Sequence, residues 1–289
     1  MSADLAPVGE LAAALRLSPG PVDLAAVDTR ATPGFDGDKT DAEAALESLA
    51  AELGTHQEKL FAEGRTGGHR SLLLVLQGMD TAGKGGTVRH TVGLVDPQGV
   101  SITSFKAPTE EELAHDFLWR IEKALPRAGD IGVFDRSHYE DVLIGRVRSL
   151  ADPEEIERRY DAINDFEARL VAEGTVVVKV MLHISAEAQR ERLLERLDRP
   201  DKHWKYNPGD VDERQVWPAY REAYEIALER TNTEIAPWYV VPADRKWYRN
   251  LAVAGLMLDA LRRMSPSWPT PDFDVEHERQ RLADEDPVS

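Results

Sequence analysis

The sequence predicts a three-layer α/β/α fold, a parallel sheet covered by helices, and three observations predict it. Short apolar runs at residues 72–76, 100–105, 131–134, 176–184 and 238–241 read as buried strands, with helical spacing between them; that alternation is what βαβ units produce. The first run leads directly into Gly78-Met79-Asp80-Thr81-Ala82-Gly83-Lys84-Gly85-Gly86-Thr87, and a strand feeding a glycine-rich turn and a helix start is how a phosphate loop is built. A chain of 289 residues with 42% apolar content can bury one full core, which suits a single α/β domain with appendages.

Residues 1–39, rich in Ala, Pro, Gly and Asp, read as a loosely structured arm with at most one short helix at residues 11–17. The domain itself spans 40–265. Its first helix starts at Thr40, which with Glu43 has capping-box spacing, and Leu46, Leu49, Leu53 and Leu60 keep one face apolar. After the loop and the second strand, Thr109 and Glu112 form another capping box, with Leu113, Phe117, Ile121 and Leu125 expected to face inward. Asp152-Pro153 opens a further helix that buries Ile156, Tyr160, Ile163 and Leu170. Residues 266–289, with Asp272, Asp274, Glu276, Glu278, Asp284, Glu285 and Asp286 set against Arg279 and Arg281, read as a solvated acidic tail. Ligands of a parallel sheet bind beyond the carboxyl ends of its strands, so the segments that follow strands carry the chemistry.

In the loop, backbone N–H groups of Gly78, Gly83, Lys84, Gly85, Gly86 and Thr87 can wrap phosphate oxygens at the positive end of a helix, and Lys84 adds a mobile charge. Gly78, Gly83 and Lys84 satisfy the Walker A pattern, but Gly85 stands where the usual loop has the Ser or Thr that holds magnesium. Asp80 can replace that hydroxyl by coordinating magnesium, or manganese, directly or through water; the alternative is a solvated acid capping the helix. The run at 131–134 delivers Asp135 and Arg136 at its carboxyl edge and resembles a Walker B element, with Asp135 on the metal and Arg136 on the transferred phosphoryl group.

After the fourth strand comes the densest basic cluster in the chain, read as a helical lid at about residues 189–213. Arg192 and Arg196 share a helix face, and Pro200 ends the helix and sends Lys202 and Lys205 onto a loop; closure would exclude water and bring guanidinium groups to the phosphate. Taken alone, the cluster is also what an exposed helix balanced by Glu191, Glu195 and Asp198 looks like. Lys106, after the second strand, is a candidate for the acceptor side. His115 and His138 are expected to pack or hydrogen-bond rather than act as bases, since an acceptor that is itself a phosphate is already ionised. A net charge of −17 argues against broad nucleic-acid binding. With no cysteine there are no thiolate metal sites or disulfides, and without a signal-like or membrane-spanning run the expected location is the cytoplasm.

Four segments, in order, resemble the polyphosphate kinase 2 family: the loop from Gly78 to Gly86, the stretch from Lys106 to Arg120, Asp135-Arg136-Ser137-His138-Tyr139-Glu140-Asp141-Val142-Leu143, and Lys202-His203-Trp204-Lys205. Gly in place of the loop Ser or Thr is itself a trait of that family. The resemblance covers roughly residues 40–265. It implies a P-loop kinase fold similar to thymidylate kinase, and transfer between inorganic polyphosphate and AMP, ADP or GDP, reversible and magnesium-assisted, in a dimer or tetramer. It implies magnesium on Asp80 and Asp135, the reacting phosphates on Lys84 and Arg136, and lid roles for Arg192, Arg196, Lys202 or Lys205. The wording around His138 is similar to the branch that accepts both mono- and diphosphates. Two other readings stay open at this point: an ATP-dependent nucleoside monophosphate kinase, and a regulator that binds a nucleotide or polyanion without turnover.

Overall fold

The computed structural model describes residues 8–285. In chain order its elements are α1 (Val8–Leu15), α2 (Lys39–Arg65), β1 (Ser71–Gln77), α3 (Lys84–His90), β2 (Val100–Ser104), α4 (Glu110–Leu113), α5 (Trp119–Glu122), β3 (Ile131–Asp135), α6 (Glu140–Val147), α7 (Pro153–Ala172), β4 (Thr175–His183), α8 (Ala186–Asp198), α9 (Gly209–Gln215), α10 (Trp217–Thr231), β5 (Trp238–Pro242), α11 (Lys246–Met264) and α12 (Val275–Asp284). The strands form one parallel sheet in the order β2-β3-β1-β4-β5, with β1 at its centre. Side chains alternate along a strand. Leu72, Leu74 and Leu76 therefore pack with α1, α2 and α11, while Leu73 and Val75 pack with α6, α7 and α10. Two apolar layers thus enclose the sheet, and each of the five apolar runs in the sequence is one of its strands.

The N-terminal arm differs from its expectation. From residue 8 onward it is packed rather than loose, because Val8, Leu11, Ala12 and Leu15 form a helical stripe buried against α11. Gly255 on α11 leaves room for the Leu11 side chain, which a Cβ there would meet. Beyond α1, Leu17 N–H donates to the Trp238 carbonyl at 2.8 Å, extending pairing to the outer side of β5. Further on, Tyr248 Oη donates to the Pro33 carbonyl at 2.7 Å and Thr29 Oγ1 to Asp244 Oδ2 at 2.7 Å. Composition obscured this because small residues separate the four apolar ones. Leu11→Ala should cost about 3 kcal/mol in urea unfolding; a loss under about 1 kcal/mol would mean that the arm is not part of the core.

Three local expectations also change. The cap of α2 is Asp38, which accepts from Thr40 and Asp41 N–H groups while Asp41 bonds back to Asp38 N–H, so Thr40 and Glu43 do not form the box. Thr109 and Glu112 do form theirs. The helix nevertheless stops at Leu113, because the Asp116 side chain accepts from Leu118 N–H at 3.0 Å and turns the chain; Leu113 is left 69% exposed, while Ile121 on α5 is buried. In the acidic tail, α12 starts at a capping Asp274. Its residues are mostly exposed, and Asp286 lies outside the described residues. Among the described residues, no helix is long and apolar enough to cross a membrane.

Candidate active site

The end of β1 and the start of α3 are joined by a tight, partly left-handed turn. Gly83 has φ 105°, and a Cβ there would collide with the Arg249 guanidinium, so only glycine fits. Thr81 adopts φ 64° without being glycine, a conformation that the surroundings must hold in place. Lys84 is buried, and its Nζ donates to the Gly78 carbonyl at 2.7 Å. Gly85, by contrast, has open space where a side chain would begin, so its missing hydroxyl is not a matter of crowding.

A cleft of about 730 Å³ opens above the carboxyl ends of the strands, lined by Asp80, Gly83, Lys84, Gly85, Gly86, Lys106, Asp135, Arg136, Arg192, Arg196, Lys202 and Lys205, all singled out from the sequence. Two predicted ligands are not available there. Thr87 is buried with its Oγ1 on the Gly83 carbonyl at 3.2 Å. Gly78 donates its N–H to Tyr224 Oη at 3.1 Å and lines a neighbouring cavity of about 290 Å³. The helix turn itself and an α10 tyrosine, which the sequence does not reveal as a neighbour, satisfy these groups.

At the edge of β3, Arg136 takes φ 65° while its N–H donates to the Leu76 carbonyl at 3.1 Å. This kink fixes where the side chain leaves the backbone, and Arg136 Nη2 meets Asp80 Oδ1 at 2.7 Å. Burial works to lower the Arg136 pKa, but Glu140 and Asp80 outweigh it and hold it above its ordinary value. Burial raises the Glu140 carboxyl, opposed by Arg136 and Lys84. Asp80 and Asp135 face one cleft as hard oxygen donors, and among the described residues no group of three or more His, Cys, Asp or Glu side chains could hold a metal. Two carboxylates on one cleft are the oxygen donor type that magnesium takes, commonly together with water and substrate phosphates.

The lid arginines are tied differently from the expectation. Arg192 Nη1 donates to the Thr81 and Ala82 carbonyls at 2.9 and 3.1 Å, and its Nη2 to the Asp244 carbonyl at 3.0 Å and to that of Ala243. It links α8, the loop and the end of β5, because carbonyls of the tight turn lack helical partners. Arg196 donates to the Lys205 carbonyl at 2.9 Å and pairs with Asp210 at 3.3 Å, bracing the 3₁₀ turn Pro200–Lys205. Lys202 pairs with Glu195, and Lys205 lies 4.9 Å from the ring centre of the exposed Trp204. His138 is buried beside Glu167 and His115 stacks on Trp119 at 4.0 Å, as packing roles require.

Sequence reasoning missed Arg249. It rises from the first turn of α11, is 3% exposed, and donates to the Ala82 carbonyl at 3.3 Å and to Asn250 Oδ1 at 2.8 Å, with no carboxylate partner among the described residues. Burial, helped by Arg192, pushes its pKa down to about 10. Burial also lowers Lys84, with Arg136 adding to the effect, and lowers Arg192. Three cations around one loop are thus held at an electrostatic cost that a bound polyanion would offset. A signal existed: Arg245, Lys246 and Arg249 cluster at a helix N-terminus, where the dipole disfavours positive charge.

A family model described as polyphosphate kinase 2 matches residues 36–269. The AMP/ADP-polyphosphate phosphotransferase of Meiothermus ruber is 45% identical over 253 residues, covering 88% of this chain and 93% of that protein. The ADP-polyphosphate phosphotransferase of Rhodopseudomonas palustris is 39% identical over 260 residues, covering 86% and 88%. Among solved structures, polyphosphate kinase 2 from Arthrobacter aurescens TC1 superposes with a TM-score of 0.93 at 57% identity, over 96% of this chain and 97% of that one.

Proposed function

The chain belongs to the polyphosphate kinase 2 family, and from that premise we infer that its cleft moves the terminal phosphoryl group of inorganic polyphosphate onto AMP or ADP. It is a polyphosphate-dependent nucleotide kinase built on a P-loop kinase fold. The observation that carries the reading is the cleft itself, where Lys84, Arg136, Arg192 and Arg249 surround an open glycine loop beside Asp80 and Asp135: a site of this kind favours polyanionic ligands.

In this reading an oxygen of the acceptor phosphate attacks the terminal phosphorus of the polymer in line. The new P–O bond forms as the bond to the bridging oxygen breaks, and the polymer leaves one phosphate shorter. The attacking oxygen is already ionised, so no residue has to remove a proton. Positioning and charge stabilisation are what the protein supplies. N–H groups of residues 83–86 hold phosphate oxygens, Lys84 and Arg136 stabilise charge on the moving group, Arg249 adds positive charge beneath the loop, and Arg192 keeps the loop in shape. Asp80 and Asp135 would hold magnesium or manganese, which supplies further neutralisation of phosphate oxygens when bound.

The test offers AMP, and separately ADP, with magnesium and long-chain polyphosphate as the only phosphoryl donor. ADP and ATP are the expected products. If polyphosphate gives no product while ATP serves as donor, the protein is an ordinary nucleotide kinase and this reading fails.

A further inference from the structure

The active-site cleft does not end at the loop. Through His90, Lys246 and Asn250 it shares a wall with a second cavity of about 560 Å³. The rest of that cavity comes from the N-terminal arm and from the first turns of α2 and α11, which bring Arg30, Lys39 and Arg245 to it. In a chain of net charge −17, this concentration of cations beside an already basic cleft needs an explanation. Among the described residues Arg30 and Arg245 have no ion-pair partner; Arg245 lies over the Trp247 ring at 5.7 Å. Lys39 meets only Glu43, at 3.6 Å in an exposed pair, which holds it weakly. The other acid of the wall, Asp244, accepts hydrogen bonds from Thr29 Oγ1, Ser185 N–H and Ser185 Oγ, so it anchors the backbone around the cavity.

We propose that this cavity seats the distal phosphates of the polymeric donor, several units back from the one being transferred. The proposal rests on the polyphosphate reading above and adds a second stretch of binding site to it. The first cavity alone would take a short polyphosphate. Only a chain long enough to pass His90 and Lys246 reaches Arg30, Lys39 and Arg245, and each charged contact made there strengthens binding without touching the reacting atoms. The arm thereby becomes the part of the protein that distinguishes long polymer from short.

The experiment compares kcat/KM for tripolyphosphate and for long-chain polyphosphate, with AMP as acceptor, in the wild-type protein and in an Arg30→Gln/Arg245→Gln double variant. The ratio of long to short should fall at least about tenfold in the variant, mainly through KM for the long polymer. In the wild type that KM should also rise more steeply with salt than the KM for tripolyphosphate, since more charges are engaged. An unchanged ratio in the variant, or equal salt slopes in the wild type, overturns the distal site and leaves the polyphosphate reading standing. A wild-type protein that uses neither donor overturns both.

Discussion

Lys84→Met should lower kcat by about 10³-fold and leave a folded protein. The side chain is buried and its one hydrogen bond is to the Gly78 carbonyl. Met has similar length and no charge, so the slot stays filled while the cation proposed to act on the transferred phosphoryl group is lost. One preorganised donor of this type is worth about 10²–10³ in rate, and a fully charged group on a phosphoryl transfer can be worth more. Lys84→Arg should not rescue, because a planar guanidinium does not fit a slot shaped for an ammonium. Steady-state rates at saturating donor and acceptor, with thermal unfolding as the control for folding, test this. Near-normal turnover in the Met variant would remove Lys84 from the reacting centre.

Arg249→Met should change activity and stability in opposite senses. Turnover should drop by about 10²-fold, since a cation touching the loop backbone is lost. Without any phosphate ligand, however, the variant should be no less stable than the wild type. The sign follows from the pKa, which lies at about 10, well below the ordinary value for arginine: the folded state disfavours the protonated form, so the cost is fully present below pH 10 and is relieved as pH rises toward the unfolded value. Removing the charge removes the cost. Tripolyphosphate at about 100 times its Kd should stabilise the wild type by about 2.7 kcal/mol and the variant distinctly less. Unfolding curves with and without tripolyphosphate read both effects. Marked destabilisation of the ligand-free variant would show instead that Arg249 is a structural brace.

Much of the site was legible because chemistry and fold coincide on short segments. Apolar runs found β1 to β5, and the carboxyl ends of β1 and β3 with the turns that follow them carry Asp80, Lys84, Asp135 and Arg136. What escaped was non-local. Tyr224 reaches Gly78 from 146 residues away and Arg249 reaches Ala82 from 167 away, and no spacing rule joins such positions. Thr87 and Arg192 were legible as residues but not as partners: a hydroxyl in the first turn of a helix can face a ligand or its own backbone, and a lid arginine can face phosphate or carbonyls. The arm failed for another reason, because alanine-rich composition looks the same in a tether and in a closely packed helix.

The way α1 lies on α11, with Leu17 paired to β5, joins the first described residues of the chain to elements made much later in synthesis. On the ribosome the arm emerges with nothing to bind. Its surface on α11 is completed only when residue 264 has been made, so Val8, Leu11 and Leu15 stay uncovered until then. Such long-range closure slows folding and leaves an apolar segment open to chaperones or to misassociation in the interval. The distal phosphate cavity, which needs Arg30 from the arm and Arg245 from the start of α11, would then be among the final features of the enzyme to form, after the loop and sheet that carry the reaction.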